Sequence, residues 1–151
     1  MYRLESELVK DFIRLLPISK VFSSRNRFVL EFDYSRGRTD VVLLSSDNKV
    51  IAFEAKLTRW RDALHQAYRN QCFANCSYVV LPEETSYIAM QYESIFKKRN
   101  IGICQVTPSE LVFMLVPTPV TPLQSWLNDK AHQTLKNEGI KCSTRISTSV
   151  I

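Results

Sequence analysis

Gly37-Arg38-Thr39-Asp40-Val41-Val42-Leu43-Leu44 is followed, after the polar stretch Ser45-Ser46-Asp47-Asn48-Lys49, by Val50-Ile51-Ala52-Phe53-Glu54-Ala55-Lys56. Two apolar runs of strand length around a short turn of Ser, Asp and Asn read as a β-hairpin. Residues 39–44 are so evenly apolar that the strand is expected to be buried on both faces. A hairpin centred near Asp47 sets Asp40 opposite Glu54, because the two are equidistant from the turn. Residues two apart on a strand share a face, so Glu54 and Lys56 are expected to point the same way. The hairpin alone therefore gathers Asp40, Glu54 and Lys56 on one patch.

Charges inside so apolar a run are costly to bury without a purpose. A salt bridge on an exposed strand is the ordinary alternative, and the flanking Val, Ile, Leu and Phe residues weigh against it. Converging carboxylates repel unless a positive charge lies between them. Mg²⁺ is the natural candidate, a hard cation that takes oxygen ligands and keeps several waters. Two carboxylates around Mg²⁺, with a lysine beside them, are the parts needed to hydrolyse a phosphodiester.

Outward from the hairpin, the pattern alternates helices and strands. Residues 4–16 carry Leu4, Leu8, Val9, Phe12, Ile13, Leu15 and Leu16 at helical spacing, ended by Pro17. Phe28, Leu30 and Phe32 alternate in a strand over 27–33. Thr58 is expected to cap a helix running to about residue 74, with Trp60, Ala63, Leu64, Ala67 and Gln71 inward. A strand over 77–81, stopped by Pro82, precedes a helix over 85–99 and two short strands, 101–106 and 110–116. Pro117, Pro119 and Pro122 interrupt the chain before a helix over 123–136 and a Ser/Thr-rich end.

The 151 residues suit one hydrophobic core. No stretch approaches the roughly 20 apolar residues of a membrane span. The N-terminus lacks the apolar run of a signal peptide, so the cytoplasm is the expected compartment. Cys72, Cys76, Cys104 and Cys142, with His65 and His132, show no zinc-ligand spacing and read as free thiols. The net charge of +5 is a modest pointer to a polyanionic partner.

Gly37-Arg38-Thr39-Asp40, the turn, and Glu54-Ala55-Lys56 before a helix resemble the PD-(D/E)XK, or restriction-endonuclease-like, superfamily. Thr39 stands where the motif's proline would be. The resemblance spans residues 4–81. It implies an α/β fold with an αβββαβ core, a mixed central sheet flanked by helices. Residues 1–116 would be the nuclease-like domain, and 117–151 a Pro-rich break, a helix and a flexible tail. It further implies a nuclease dependent on Mg²⁺, with Mn²⁺ as a substitute, acting on nucleic acid, DNA in the first place.

Asp40 and Glu54 would bind metal, with the Ala55 carbonyl as a further ligand, and Lys56 would orient or activate the water. Glu5, with Leu8, Val9 and Phe12 following it, matches the first-helix glutamate of archaeal Holliday-junction resolvases and related members better than Glu7 does. Gln66, ten residues beyond Lys56, matches a glutamine that often faces the active site. Arg36, Arg38, Arg59 and Arg69 are expected to meet phosphates, which suit the forked guanidinium. A homodimer on family grounds, or a protein partner docked by the tail, completes the expectations; no membrane partner is expected. The rival readings are a nucleic-acid-binding module that does not cut and a regulatory or interaction domain of a mobile element or defence system.

Overall fold

A computed structural model describes residues 1–18, 26–35 and 37–141. The first helix, α1 (Glu5–Leu15), buries Leu8, Phe12, Ile13 and Leu15. Its N-terminus is closed by Glu7, whose Oε1 accepts the backbone N–H groups of Arg3 and Leu4, each at 2.8 Å. The Leu4 bond is that of a capping-box acid to the N-cap N–H, and the Arg3 bond holds the residue before it. A single 3-10 turn, Leu16–Ile18, follows at Pro17.

Strands β1 (Arg27–Asp33), β2 (Arg38–Leu44) and β3 (Val50–Ala55) form an antiparallel meander. Helix α2 (Trp60–Arg69) then returns the chain so that β4 (Cys76–Pro82) lies parallel to β3. This αβββαβ order, in a mixed sheet flanked by helices, is the α/β architecture expected above. Helices α3 (Glu83–Met90) and α4 (Glu93–Arg99) lead to β5 (Gly102–Val106), parallel to β4, and β6 (Leu111–Leu115) turns back antiparallel. Helix α5 (Ser125–Glu138) and the two-residue strand β7 (Ile140–Lys141) end the described chain. The seven strands run in the order β6-β5-β4-β3-β2-β1-β7.

Every residue of β3 is buried, as a central strand covered on both faces must be. Its Ile51, Phe53 and Ala55 pack with α1, together with Val41 and Leu43 of β2 and Tyr78 and Val80 of β4. The opposite face is shared. Trp60, Ala63, Leu64 and Ala67 of α2 meet Val79 and Leu81 of β4, while Leu127, Ala131 and Leu135 of α5 cover Val42, Val50 and Ala52. The Pro-rich stretch between β6 and α5 is fastened across the sheet. Val120 N–H bonds to Asn75 O at 2.9 Å, and Gln124 N–H to Cys72 O at 2.9 Å. The C-terminal helix thus belongs to the same sheet packing.

Three expectations are corrected. The helix expected over 85–99 is two helices. Tyr92 leaves helical geometry (φ −114°, ψ 28°), and its ring stacks on Trp60 at 5.0 Å. Thr58 does not cap α2: the capping position is Arg59, without a side-chain hydrogen bond. The strand run read through Lys56 ends at Ala55, although Lys56 N–H still bonds to Val80 O at 3.2 Å. Cys76 and Cys104 are free thiols, as expected, and Cys142 lies outside the described residues.

Phe53 fastens α1 to the central strands. Its ring lies 4.7 Å from that of Phe12 and 5.2 Å from that of Tyr78. Phe53→Ala should lower the unfolding free energy by about 3–5 kcal/mol, and Phe53→Leu by much less. Urea denaturation followed by tryptophan fluorescence measures both.

Candidate active site

The β2–β3 pairs Val41↔Phe53, Val42↔Ala52, Leu43↔Ile51 and Leu44↔Val50 are centred on Asp47, so Asp40 and Glu54 come next and oppose each other. Asp40 Oδ2 accepts the Ala55 N–H at 2.8 Å, which holds its carboxyl against the end of β3. Glu54 is 2% exposed, Asp40 is half-buried, and the two carboxyls hydrogen-bond to each other. Asn70, just beyond α2, donates from Nδ2 to Glu54 Oε1 at 3.1 Å. Its Oδ1 accepts the Thr39 hydroxyl at 3.0 Å. With the oxygen taken by Thr39, the amide can only present its N–H side to Glu54.

Alternation along the strands does not hold at this point. Phe28 and Leu30 pack with α1, yet Phe32 packs with α5, so β1 changes faces at Glu31, whose φ is 53°. A positive φ is uncommon for a non-glycine residue and turns the strand over locally. Opposite it, Asp40 lines a cavity of about 250 Å³ with Glu5, Ser6 and Val9 of α1 and Leu30 and Glu31 of β1. Lys56 turns toward α1, its Nζ 3.8 Å from Glu5 Oε2, while the Glu54 carboxyl is held by Asn70. Glu54 and Lys56 therefore do not share one orientation as simple alternation expects. The lysine charge still acts favourably on the ionised Glu54.

The electrostatics follow from burial. Glu54 is pushed up to about 8, first by desolvation and then by the charge of Asp40. Asp40 is also raised, mainly by desolvation, with the Ala55 N–H opposing the shift and Glu31 and Glu5 adding to it. At neutral pH the pair keeps a proton between its oxygens.

Of the expected site residues, Asp40, Glu54, Lys56 and Glu5 lie at this corner of the sheet. Gln66 is half-buried on α2, one turn before Asn70, and no hydrogen bond joins it to the carboxyl pair. Arg38, Arg59 and Arg69 are exposed. Arg59 is paired with Asp62 at 2.8 Å, and no ion pair links these arginines to Asp40 or Glu54. Arg36 lies outside the described residues. Among the described residues, no group of three or more His, Cys, Asp or Glu side chains is clustered as metal ligands. Glu31 and Asn70 join the site without having been singled out, and Thr39, noted above only as standing in for the motif's proline, joins it too. Asn70 could have been found four residues beyond Gln66, and Glu31 by pairing β1 with β2, where Leu30↔Val41 and Phe32↔Thr39 set it opposite Asp40.

No family model matches the chain, and no curated protein is similar to it. Among solved structures, a Silicibacter pomeroyi protein of unknown function is similar, with a TM-score of 0.62 and 15% identity over 90% of this chain and 86% of that one. This likeness concerns the fold. A repair endonuclease from Pyrococcus abyssi aligns with a TM-score of 0.49 and 16% identity, over 72% of this chain and 49% of that chain. No helix among the described residues is long and apolar enough to cross a membrane.

The raised Glu54 gives a signed expectation. A carboxyl whose folded value lies above its unfolded 4.5 holds its proton more tightly when folded. Its stabilising effect is full below pH 4.5 and is lost as pH rises through about 8. Glu54→Gln keeps an acceptor for Asn70 and a donor for Asp40 without ionising. At pH 9 it should exceed the parent in stability by about 1–3 kcal/mol in chelator, with little difference at pH 5. Urea midpoints at the two pH values check this; equal midpoints at pH 9 would remove the shared proton.

Proposed function

We propose that the chain is a Mg²⁺-dependent nuclease that hydrolyses phosphodiester bonds in DNA. The observation that supports this best is the buried Asp40–Glu54 pair, sharing a proton beside Lys56. Two carboxyls held face to face in an apolar surround favour either a proton or a cation between them. The donor set is all oxygen, as Mg²⁺ requires, and two carboxylates are enough for an ion that keeps several waters. Asp40 and Glu54 would hold the metal, Mg²⁺ or Mn²⁺, which when bound polarises a phosphoryl oxygen and acidifies a water.

The surrounding side chains have their own parts. Asn70, locked by Thr39, fixes the orientation of Glu54. Lys56, on the α1 side of the carboxyl pair and held loosely by Glu5, offers a positive charge for the extra negative charge that a phosphodiester gains as it is attacked. Arg36, Arg38, Arg59 and Arg69 are proposed to contact the flanking phosphates. Such contacts add affinity and position without reading sequence.

The test is incubation with labelled duplex, junction and single-stranded DNA and with RNA, in Mg²⁺, in Mn²⁺ and in chelator. The parent should cut DNA only with metal, and Asp40→Asn and Glu54→Gln should abolish cutting while remaining folded. Lys56→Ala should bind normally but turn over roughly two to three orders of magnitude more slowly. No cleavage of any substrate by the parent, or full activity in either carboxylate variant, sinks the reading. Because ligating carboxylates must be ionised, Mg²⁺ binding at pH 7 should release about one proton from the parent and none from Glu54→Gln. Calorimetry in buffers of different ionisation heat counts it.

A further inference from the structure

On the far side of α2 from Asn70 lies a surface that the carboxyl pair does not use. Arg61, His65 and Tyr68 fall on one stripe of α2, at spacings of four and three residues. That stripe faces α4 and the joint before it. The Arg61 guanidinium lies 4.3 Å from the Trp60 ring centroid and 4.9 Å from that of Tyr92. At the other end of the stripe, the Arg99 guanidinium lies 5.2 Å from the Tyr68 ring, and its Nη1 is 3.4 Å from His65 Nδ1. Gln71 Nε2 donates to Arg99 O at 2.8 Å and ties the end of α4 to α2. Beside them, Tyr68, Ser94, Ile95, Lys98 and Arg99 line an open cleft of about 560 Å³.

The charge on this surface is one-sided. The two nearby carboxylates are engaged with other cations, Asp62 with Arg59 at 2.8 Å and Glu93 with Lys97 at 3.3 Å. Among the described residues, Arg61, Lys98 and Arg99 have no carboxylate partner. Two aromatic rings remain well exposed among these cations, Tyr68 at 49% and Tyr92 at 39%. A purely structural cation–π pair would not need a second unpaired cation or an open cleft beside it.

We infer that this α2–α4 surface binds single-stranded nucleic acid, with a base stacked against Tyr68 over Ile95 and phosphates held by Lys98, Arg99 and Arg61. Aromatic rings interleaved with unpaired cations are the surface that a strand of unpaired bases fits, since every base has a face to stack and a phosphate to neutralise. A duplex hides its base faces and would use only the cations. The inference rests on the nuclease reading for its polymer. It adds to it a second contact surface, beginning five residues after Lys56 in the chain, along which a strand leaving the carboxyl pair could be held.

The experiment is fluorescence anisotropy in chelator, so that nothing is cut. The probes are a labelled oligothymidylate, an abasic strand of the same length, a duplex of the same length, and polyglutamate as competitor. The parent should prefer the oligothymidylate to the abasic strand and to the duplex by roughly ten-fold. Tyr68→Ala should lose that preference and Tyr68→Phe keep it. Lys98→Ala should weaken binding to the strand and reduce its salt slope by a little under one unit. Unchanged affinity in both Tyr68→Ala and Lys98→Ala overturns the inference. So does equal binding of the abasic strand, or displacement by polyglutamate at the oligonucleotide's own concentration, which would mark an acidic protein segment as the occupant. Cutting is scored separately in Mg²⁺. A parent that cuts while Tyr68→Ala and Lys98→Ala both bind normally refutes this surface alone, and a parent that binds as expected but never cuts refutes the nuclease alone.

Discussion

Two carboxyl groups held against each other at the end of β2 and β3 impose the condition that the rest of this corner meets. Neither can ionise freely: both are withdrawn from water, the charge of Asp40 opposes ionisation of Glu54, and Glu31 and Glu5 oppose that of Asp40. The surroundings answer with oriented hydrogen bonds: the Ala55 N–H on Asp40, and the Asn70 amide on Glu54 with Thr39 behind it. A group so buried would be expensive without them. The arrangement leaves one proton between the two carboxyls at neutral pH.

The fold supplies the rigidity. β3 lies between an antiparallel and a parallel neighbour and is covered by α1 on one face and by α2 and α5 on the other, so the backbone that carries Glu54 cannot shift without breaking a sheet ladder. α1 is set by Phe12 against Phe53, and Glu5 at its first turn arrives beside Lys56 as a consequence. Glu7, two residues on, is consumed in closing the helix start. The two acids of that turn thus divide into a structural one and one that faces the site.

Helix α2 carries two different surfaces. Its end brings Asn70 to Glu54, its apolar stripe packs on β4, and its outer stripe meets α4 through Arg61 and Tyr68. Tyr92, at the joint that interrupts the helix after β4, stacks on Trp60, and the Arg61 guanidinium lies near both rings. The interruption and the basic, aromatic surface therefore meet at one joint.

The hairpin was legible in the residues because it is local. A polar turn between two apolar runs fixes the register, and the register alone sets Asp40 against Glu54. The order of helices and strands was legible for the same reason, since periodicities of 3.6 and 2 residues are written along the chain. Which way side chains finally turn was not. The change of face at Glu31, the swing of Lys56 toward Glu5, and the capture of Glu54 by Asn70 depend on helices that pack from elsewhere in the chain. So does the joint at Tyr92, whose ring stacks on Trp60, 32 residues earlier in the chain. Local pattern determined which residues meet across the hairpin; only tertiary packing, which sets side chains against partners distant in sequence, decided how the site is oriented and what supports it.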